Sequence, residues 1–251
     1  MKNSLICAAV GATALVSSAD AGFLGFVASV RVSGAYTLVD IYAGVQNSSD
    51  RFLGVYNINS TTSVAGGFFQ AAGLATKAWK PNTTDASSVL STRNAIDSFM
   101  TAGGTDYLIP EGMFAAPTTT ADPNFASTSW NGTPGSAAAT TVPVNAGWYS
   151  NDPTASTNTT ESIVGLAGRV NGSGSADQAR YGIWIAHLVL ATNDPIAFGF
   201  GTGNLFFGGF AGIKDGVTGS TSQGYSAIPA PGALSLLAAA GLCGGMRRRR
   251  A

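Results

Sequence analysis

The chain has 251 residues, enough for one large domain or two small ones. Only 10% of its residues are charged, against about 25% in an ordinary soluble domain, while its 33 glycines are about twice the usual share. That composition excludes a charge-rich disordered chain, and the twelve anions against eight cations between Gly22 and Ala227, a net charge of −4, exclude the basic patch that nucleic acid requires.

The N-terminus reads MKNSLICAAVGATALVSSADAGF. Lys2 gives a short positive start, and Leu5 to Val16 is an apolar run too short to span a bilayer. Ala19-Asp20-Ala21 is a small-x-small cleavage pattern that makes Gly22 the first mature residue. Residues 1–21 therefore read as a signal peptide and the protein as exported. Cys7 follows Ile6, not the small residue a lipoprotein needs, so it is an ordinary member of the apolar run.

The next hundred residues alternate strand-like stretches with turn clusters. FVASVRVSGAYTLVDIYAGVQ carries Val27, Val30 and Val32, then Tyr36, Leu38, Asp40 and Tyr42, with Ser33-Gly34 as a tight turn. Asn47 to Asp50 is a second turn, RFLGVYNINS a further strand, and Phe68-Phe69 marks another. Ser88 to Met100 fits a short helix and an irregular loop equally well. From Thr118 to Thr160 the composition turns to Thr, Ser, Ala, Asn, Gly and Pro, with aromatics at Phe125, Trp130, Trp148 and Tyr149. So long a loop-like segment within a domain reads as an elaborated insertion with short strands. ARYGIWIAHLVLATN resumes the strand pattern, and IAFGFGTGNLFFGGFAGI reads as a hairpin turning at Gly201 to Asn204. Many short strands with little helix predict an all-β domain over 22–227, an antiparallel β-sandwich of Greek-key or jelly-roll type, with a barrel as the alternative.

The C-terminus, residues 228–251, is a third kind of segment. Pro229 and Pro231 flank Ala230, Gly232 to Met246 carries no charge, and Arg247, Arg248, Arg249 and Arg250 follow. Fifteen helical residues span about 22 Å, short of the roughly 30 Å hydrocarbon core, so the tail makes a brief membrane anchor held on the cytoplasmic side by its arginines. Pro-x-Pro, a small apolar helix and an Arg cluster together resemble the PEP-CTERM sorting tail of bacterial envelope proteins, with Ala230 where the eponymous motif has Glu. The resemblance implies removal of the tail by an exosortase, an integral-membrane cysteine protease, and release to the envelope or extracellular matrix. VDIYAGVQNSSDRFLGVYN, GGFFQ, IDSFMTAGG and AGWYSNDP are similar to blocks in uncharacterised proteins bearing such tails, which implies no activity. Cys7 and Cys243 are the two cysteines, one in each targeting segment, so a processed chain has no disulfide.

Chemistry is sparse in the middle of the chain. His187, the single histidine, lies within the strand-like WIAHLVL, and no G-x-S-x-G nucleophile elbow accompanies it; it reads as a hydrogen-bonded strand histidine. Glu111, Glu161, Asp40, Asp97, Asp106 and Asp194 could supply paired acids, but nothing in the sequence pairs them. No cofactor is expected. Calcium is the one candidate, through turn oxygens in NSSD, GGTDY and SNDP, although Asn and Asp favour turns without any metal. Trp79, Trp130, Trp148, Tyr149 and Trp184 could stack on sugar faces; Trp130, Trp148 and Tyr149, in the polar insertion, are the preferred glycan contacts, and Trp184 reads as core. The sequence thus predicts a non-enzymatic exported protein of the envelope or matrix, structural or adhesive, meeting the export machinery, the membrane through its tail, and extracellular polysaccharide. A carbohydrate-binding module is the alternative, and a hydrolase a more distant one.

Overall fold

The first two strands form a hairpin because their alternation is interrupted where a turn residue is available. β1 (Gly25–Ser33) and β2 (Tyr36–Val45) pair from Gly25↔Gly44 to Ser33↔Tyr36, which leaves Gly34-Ala35 as a two-residue loop. Gly34 sits at φ 62°, the left-handed conformation such loops demand and glycine adopts without strain. The computed structural model describes residues 22–70, 79, 93–103, 140–150, 160–193 and 205–228. Within them follow β3 (Arg51–Thr62), β4 (Phe99–Met100), β5 (Ala146–Tyr149), β6 (Glu161–Ser162), β7 (Arg169–Asn171), β8 (Tyr181–Leu190), β9 (Leu205–Lys214) and β10 (Thr221–Ile228), with one 3-10 turn at Ala176–Gln178.

The strands make two antiparallel sheets. The larger runs β4-β8-β2-β1-β7, with β6 also on the outer edge of β8; the smaller runs β10-β9-β3-β5. The chain crosses between sheets from β2 to β3, at each step from β3 to β6, and from β8 to β9, and among the described residues no ladder joins the sheets, so the fold is a sandwich and not a closed barrel.

Alternation decides what each face meets. Phe26 and Ala28 of β1, Val39, Ile41, Ala43 and Val45 of β2, and Ile183, Ile185, Leu188 and Leu190 of β8 point inward from the larger sheet. They meet Phe52, Val55 and Ile58 of β3, Trp148 of β5, Phe207, Ala211 and Ile213 of β9, and Ile228 of β10. Each large side chain so buried is worth about 1.5–3 kcal/mol. Ile228 is therefore part of the folded unit: it pairs with Phe207 and is fully buried, so the domain reaches one residue past the expected boundary at Ala227.

One other sequence expectation changes. Phe99-Met100 is a strand against His187 and Ala186 of β8, so the C-terminal end of the segment considered for a helix is extended; residues 88–92 lie outside the described residues. β9 pairs with β3 on one edge and β10 on the other, and Ile196 to Asn204 of the expected hairpin lie outside the described residues. The Thr/Ser/Gly-rich insertion delivers β5, an edge strand of the smaller sheet, while most of its length lies outside the described residues. The signal segment with Ala19 and Ala21, and the tail from Pro229 with its expected helix, also lie outside them. Among the described residues no helix is long and apolar enough to cross a membrane.

A polar latch ties the sheets together beside β1 and β10. Ser226 Oγ accepts the N–H of Phe26 at 2.9 Å and donates to the carbonyl of Ser173 at 2.9 Å, while Ser173 and Ala227 exchange two further bonds. Ser226→Ala orphans a buried N–H, and an unsatisfied buried donor costs about 1–3 kcal/mol. Urea unfolding of the variant should show a loss in that range with an unchanged m-value.

Candidate functional site

The outer faces of the two sheets differ: one carries a buried cluster, the other an open trough. On the larger sheet, Leu38, Asp40 and Tyr42 of β2 point away from the sandwich core, beside Val27, Ser29 and Arg31 of β1. β8 carries a bulge between the partners of Ile41 and Tyr42, so Trp184 and His187, three residues apart, share this face. The row Phe99, His187, Asp40, Ser29 then runs across four strands. A second apolar cluster of Val27, Tyr42, Ala95, Phe99, Ile163, Ala176, Ala179 and Trp184 closes over it.

Beneath that cover lies an ionic knot. Asp40 and His187 are fully buried, with Nδ1 at 2.7 Å from Asp40 Oδ1 and Nε2 at 2.9 Å from the carbonyl oxygen of Ala95. Both partners accept, so the hydrogen bonding is complete when both ring nitrogens carry hydrogen. Arg31 Nη1 donates to Asp40 Oδ2. Burial alone raises the Asp40 carboxyl, but the charges and hydrogen bonds of His187 and Arg31 outweigh it and hold the group below its ordinary value. Phe99 stacks on the imidazole at 5.0 Å, and Arg93, paired with Glu161, lies over the rings of Tyr42 and Trp184. Burial and the nearby Asp40 charge push the Tyr42 hydroxyl far above its ordinary range.

This is the arrangement that sequence reading assigned to His187, a bonded strand histidine, with a partner 147 residues away that the sequence did not show. With Nε2 committed to a backbone carbonyl and no exposed surface, the imidazole reaches no substrate in this arrangement. Glu161 is paired with Arg93. Asp106, Glu111 and Asp194 lie outside the described residues.

The smaller sheet is open on its outer face. A trough of about 690 Å³ runs over β3, β5, β9 and β10. Its floor is the cross-strand row Tyr149, Gly54, Gly212, Gln223. A Cβ on Gly54 would come within 3.0 Å of the Trp148 carbonyl, so that glycine is needed for close strand approach. At Gly212 a Cβ would meet nothing nearer than 3.7 Å, so that glycine leaves space above the sheet. Alongside runs a row of aromatics in register, Tyr56, Phe210 and Tyr225. Tyr56 stacks on Phe210 at 5.1 Å and 9°, Phe210 meets Tyr225 edge-on at 5.3 Å, and the Tyr56 hydroxyl donates to Gln223 Oε1 at 2.7 Å across β9. Tyr149 is 38% exposed, Tyr56 37% and Tyr225 50%.

Of the residues expected to contact glycan, Tyr149 lies on the outer face and Trp148 is corrected to the core. β5 alternates, so Trp148 faces the core at 1% exposure, its Nε1 donating to the Thr101 carbonyl, while Tyr149 faces the trough. Trp79 and Trp184 are buried as well. Trp130 lies outside the described residues. Tyr56, Phe210 and Tyr225 were missed, because only pairing with β9 brings residues from three distant stretches side by side. Of the calcium turns, NSSD keeps its Asp50 carboxylate on backbone N–H groups of Asn47 and Gly216, and among the described residues no group of three metal-ligating side chains occurs. No family model, curated protein or solved structure matches this chain.

Proposed function

We propose that this chain is a non-enzymatic protein exported to the cell envelope or extracellular matrix, where its sandwich adheres to an extended polysaccharide. The signal segment 1–21 directs export, and the tail from residue 229 to residue 251 holds the protein briefly at the inner membrane before sorting. The observation that carries the binding function is the trough on the smaller sheet: an open, glycine-floored channel flanked by half-exposed tyrosines. Flat amphipathic rings cover apolar sugar faces and keep a hydroxyl for hydrogen bonding. Tyr56 is already fixed by Phe210 and Gln223, which lowers the ordering cost of binding. The sealed state of the Asp40–His187 pair favours adhesion over acid–base catalysis.

Affinity electrophoresis against a panel of soluble polysaccharides tests this. Tyr149→Ala and Gly212→Val, the second filling the trough where a side chain has room, should each weaken retention at least tenfold while the melting temperature stays within a few degrees. Wild-type protein that no polysaccharide retards, or variants that bind as well as wild type, would refute the assignment.

A further inference from the structure

The trough is flanked on its other side by charge. Arg51 of β3 and Lys214 of β9 sit directly opposite each other, next to Thr221 of β10. Their neighbours Phe52 and Ile213 point into the core, so alternation turns both cations to the outer face that carries Gly212 and Phe210. Like charges directly opposite each other cost folding free energy, and among the described residues neither cation forms an ion pair. Arg51 donates to the backbone carbonyl of Asp50. The adjoining carboxylates are buried and turned elsewhere: Asp50 accepts from the Asn47 and Gly216 N–H groups, and Asp215 from those of Val217 and Thr218. From Lys214 to Phe210 is four residues, about 13 Å along the strand. The trough thus lies between an aromatic row and a row of two cations that form no ion pair among the described residues. Cations are scarce in this net-negative domain, so two of them in register beside the trough are a specific feature.

We propose that the polysaccharide is acidic, and that Arg51 and Lys214 hold the anionic groups of its sugar residues while the tyrosine row covers their apolar faces. This rests on the trough being the polysaccharide site and names the chemistry of what it takes. Charge-assisted bonds from a guanidinium and an ammonium suit carboxylates and sulfates alike. The net negative charge of the remaining surface confines the attraction to this corner and so fixes where along the trough the anionic groups lie.

Binding of wild type, Arg51→Gln/Lys214→Gln, Lys214→Gln alone and Tyr149→Ala to polygalacturonate and to neutral hydroxyethyl cellulose separates this inference from the reading beneath it. The expected result is preference for polygalacturonate, at least a tenfold loss in the double variant with a smaller loss in the single one, and weakening of wild type by added salt. Equal binding of both polymers, lost only in Tyr149→Ala, would overturn the acidic ligand and leave the polysaccharide site standing. Retention of neither polymer by wild type would remove the acidic ligand, and the neutral arm together with the wider panel then decides the site itself. The wild-type salt series needs no variant, so a folding defect in the double variant does not blunt the test.

Discussion

Asp40→Ala should lower the unfolding free energy by about 3–5 kcal/mol, the cost of breaking a buried ion pair by removing one partner. The truncation leaves His187 fully buried with one ring nitrogen facing no acceptor, and deprives Arg31, whose side chain is part-exposed, of its carboxylate. Much of the loss comes from the stranded imidazole, so it should shrink when both members are replaced by apolar residues. Asp40→Leu/His187→Leu should be more stable than Asp40→Ala, because the face around it, with Tyr42, Phe99 and Trp184, is otherwise apolar. Urea unfolding at neutral pH gives each value, and adding the single variants Asp40→Leu and His187→Leu completes the cycle that isolates the coupling. The pH dependence has a fixed sign. The folded Asp40 carboxyl is held below its ordinary value of 3.8, so its contribution is fully present above that pH and is lost as pH falls through the lower folded value. The gap between wild type and Asp40→Ala should therefore narrow on acidification below about pH 4. A constant gap at all pH values would mean that packing, and not the charge, carries the effect. Asp50 works in the opposite direction: burial raises its carboxyl, so protonating it relieves the folded state.

Trp148→Ala and Tyr149→Ala, one residue apart, should fail in opposite ways. Trp148 fills the core between the sheets and gives its indole N–H to the Thr101 carbonyl, so its removal should cost about 3–5 kcal/mol, the usual range for a buried aromatic. Tyr149 stands on the other side of the same strand, and its removal should leave stability within about 1 kcal/mol, as for most surface changes. The trough should lose its ligand in the second case and not in the first, when measured below the melting temperature. Equal destabilisation by both would contradict the strand's alternation, and loss of polysaccharide binding only in Trp148→Ala would move the site off this face.

The long strands were legible because period-two alternation is a local property. Val27 to Val32, Tyr36 to Tyr42 and Tyr181 to Leu190 each announce themselves within ten residues. Trp148 was misplaced by composition: a polar insertion suggested the surface, while the local pattern Ala146, Trp148, Ser150 of alternate buried positions was the better guide. What stayed hidden depends on pairing. Asp40 and His187 meet because β2 and β8 are neighbours, although they are far apart in the chain. Strict alternation puts Trp184 and His187 on opposite faces, and only the bulge in β8 brings them together. The aromatic and cationic rows are likewise products of register between β3, β9 and β10, which no single stretch encodes.

The division of labour between the two outer faces has a consequence for how such a chain can change. Mutations on the larger sheet disturb a sealed set of charges and rings, and selection will hold those positions. The smaller sheet presents its trough with Gly212 unfilled and its tyrosines resting on the surface, so substitutions there alter shape and charge while sparing the core. Changes can thus accumulate on that face with little loss of foldability. Tolerance of substitution is concentrated in the sheet whose outer face, among the described residues, carries no sealed ion pair.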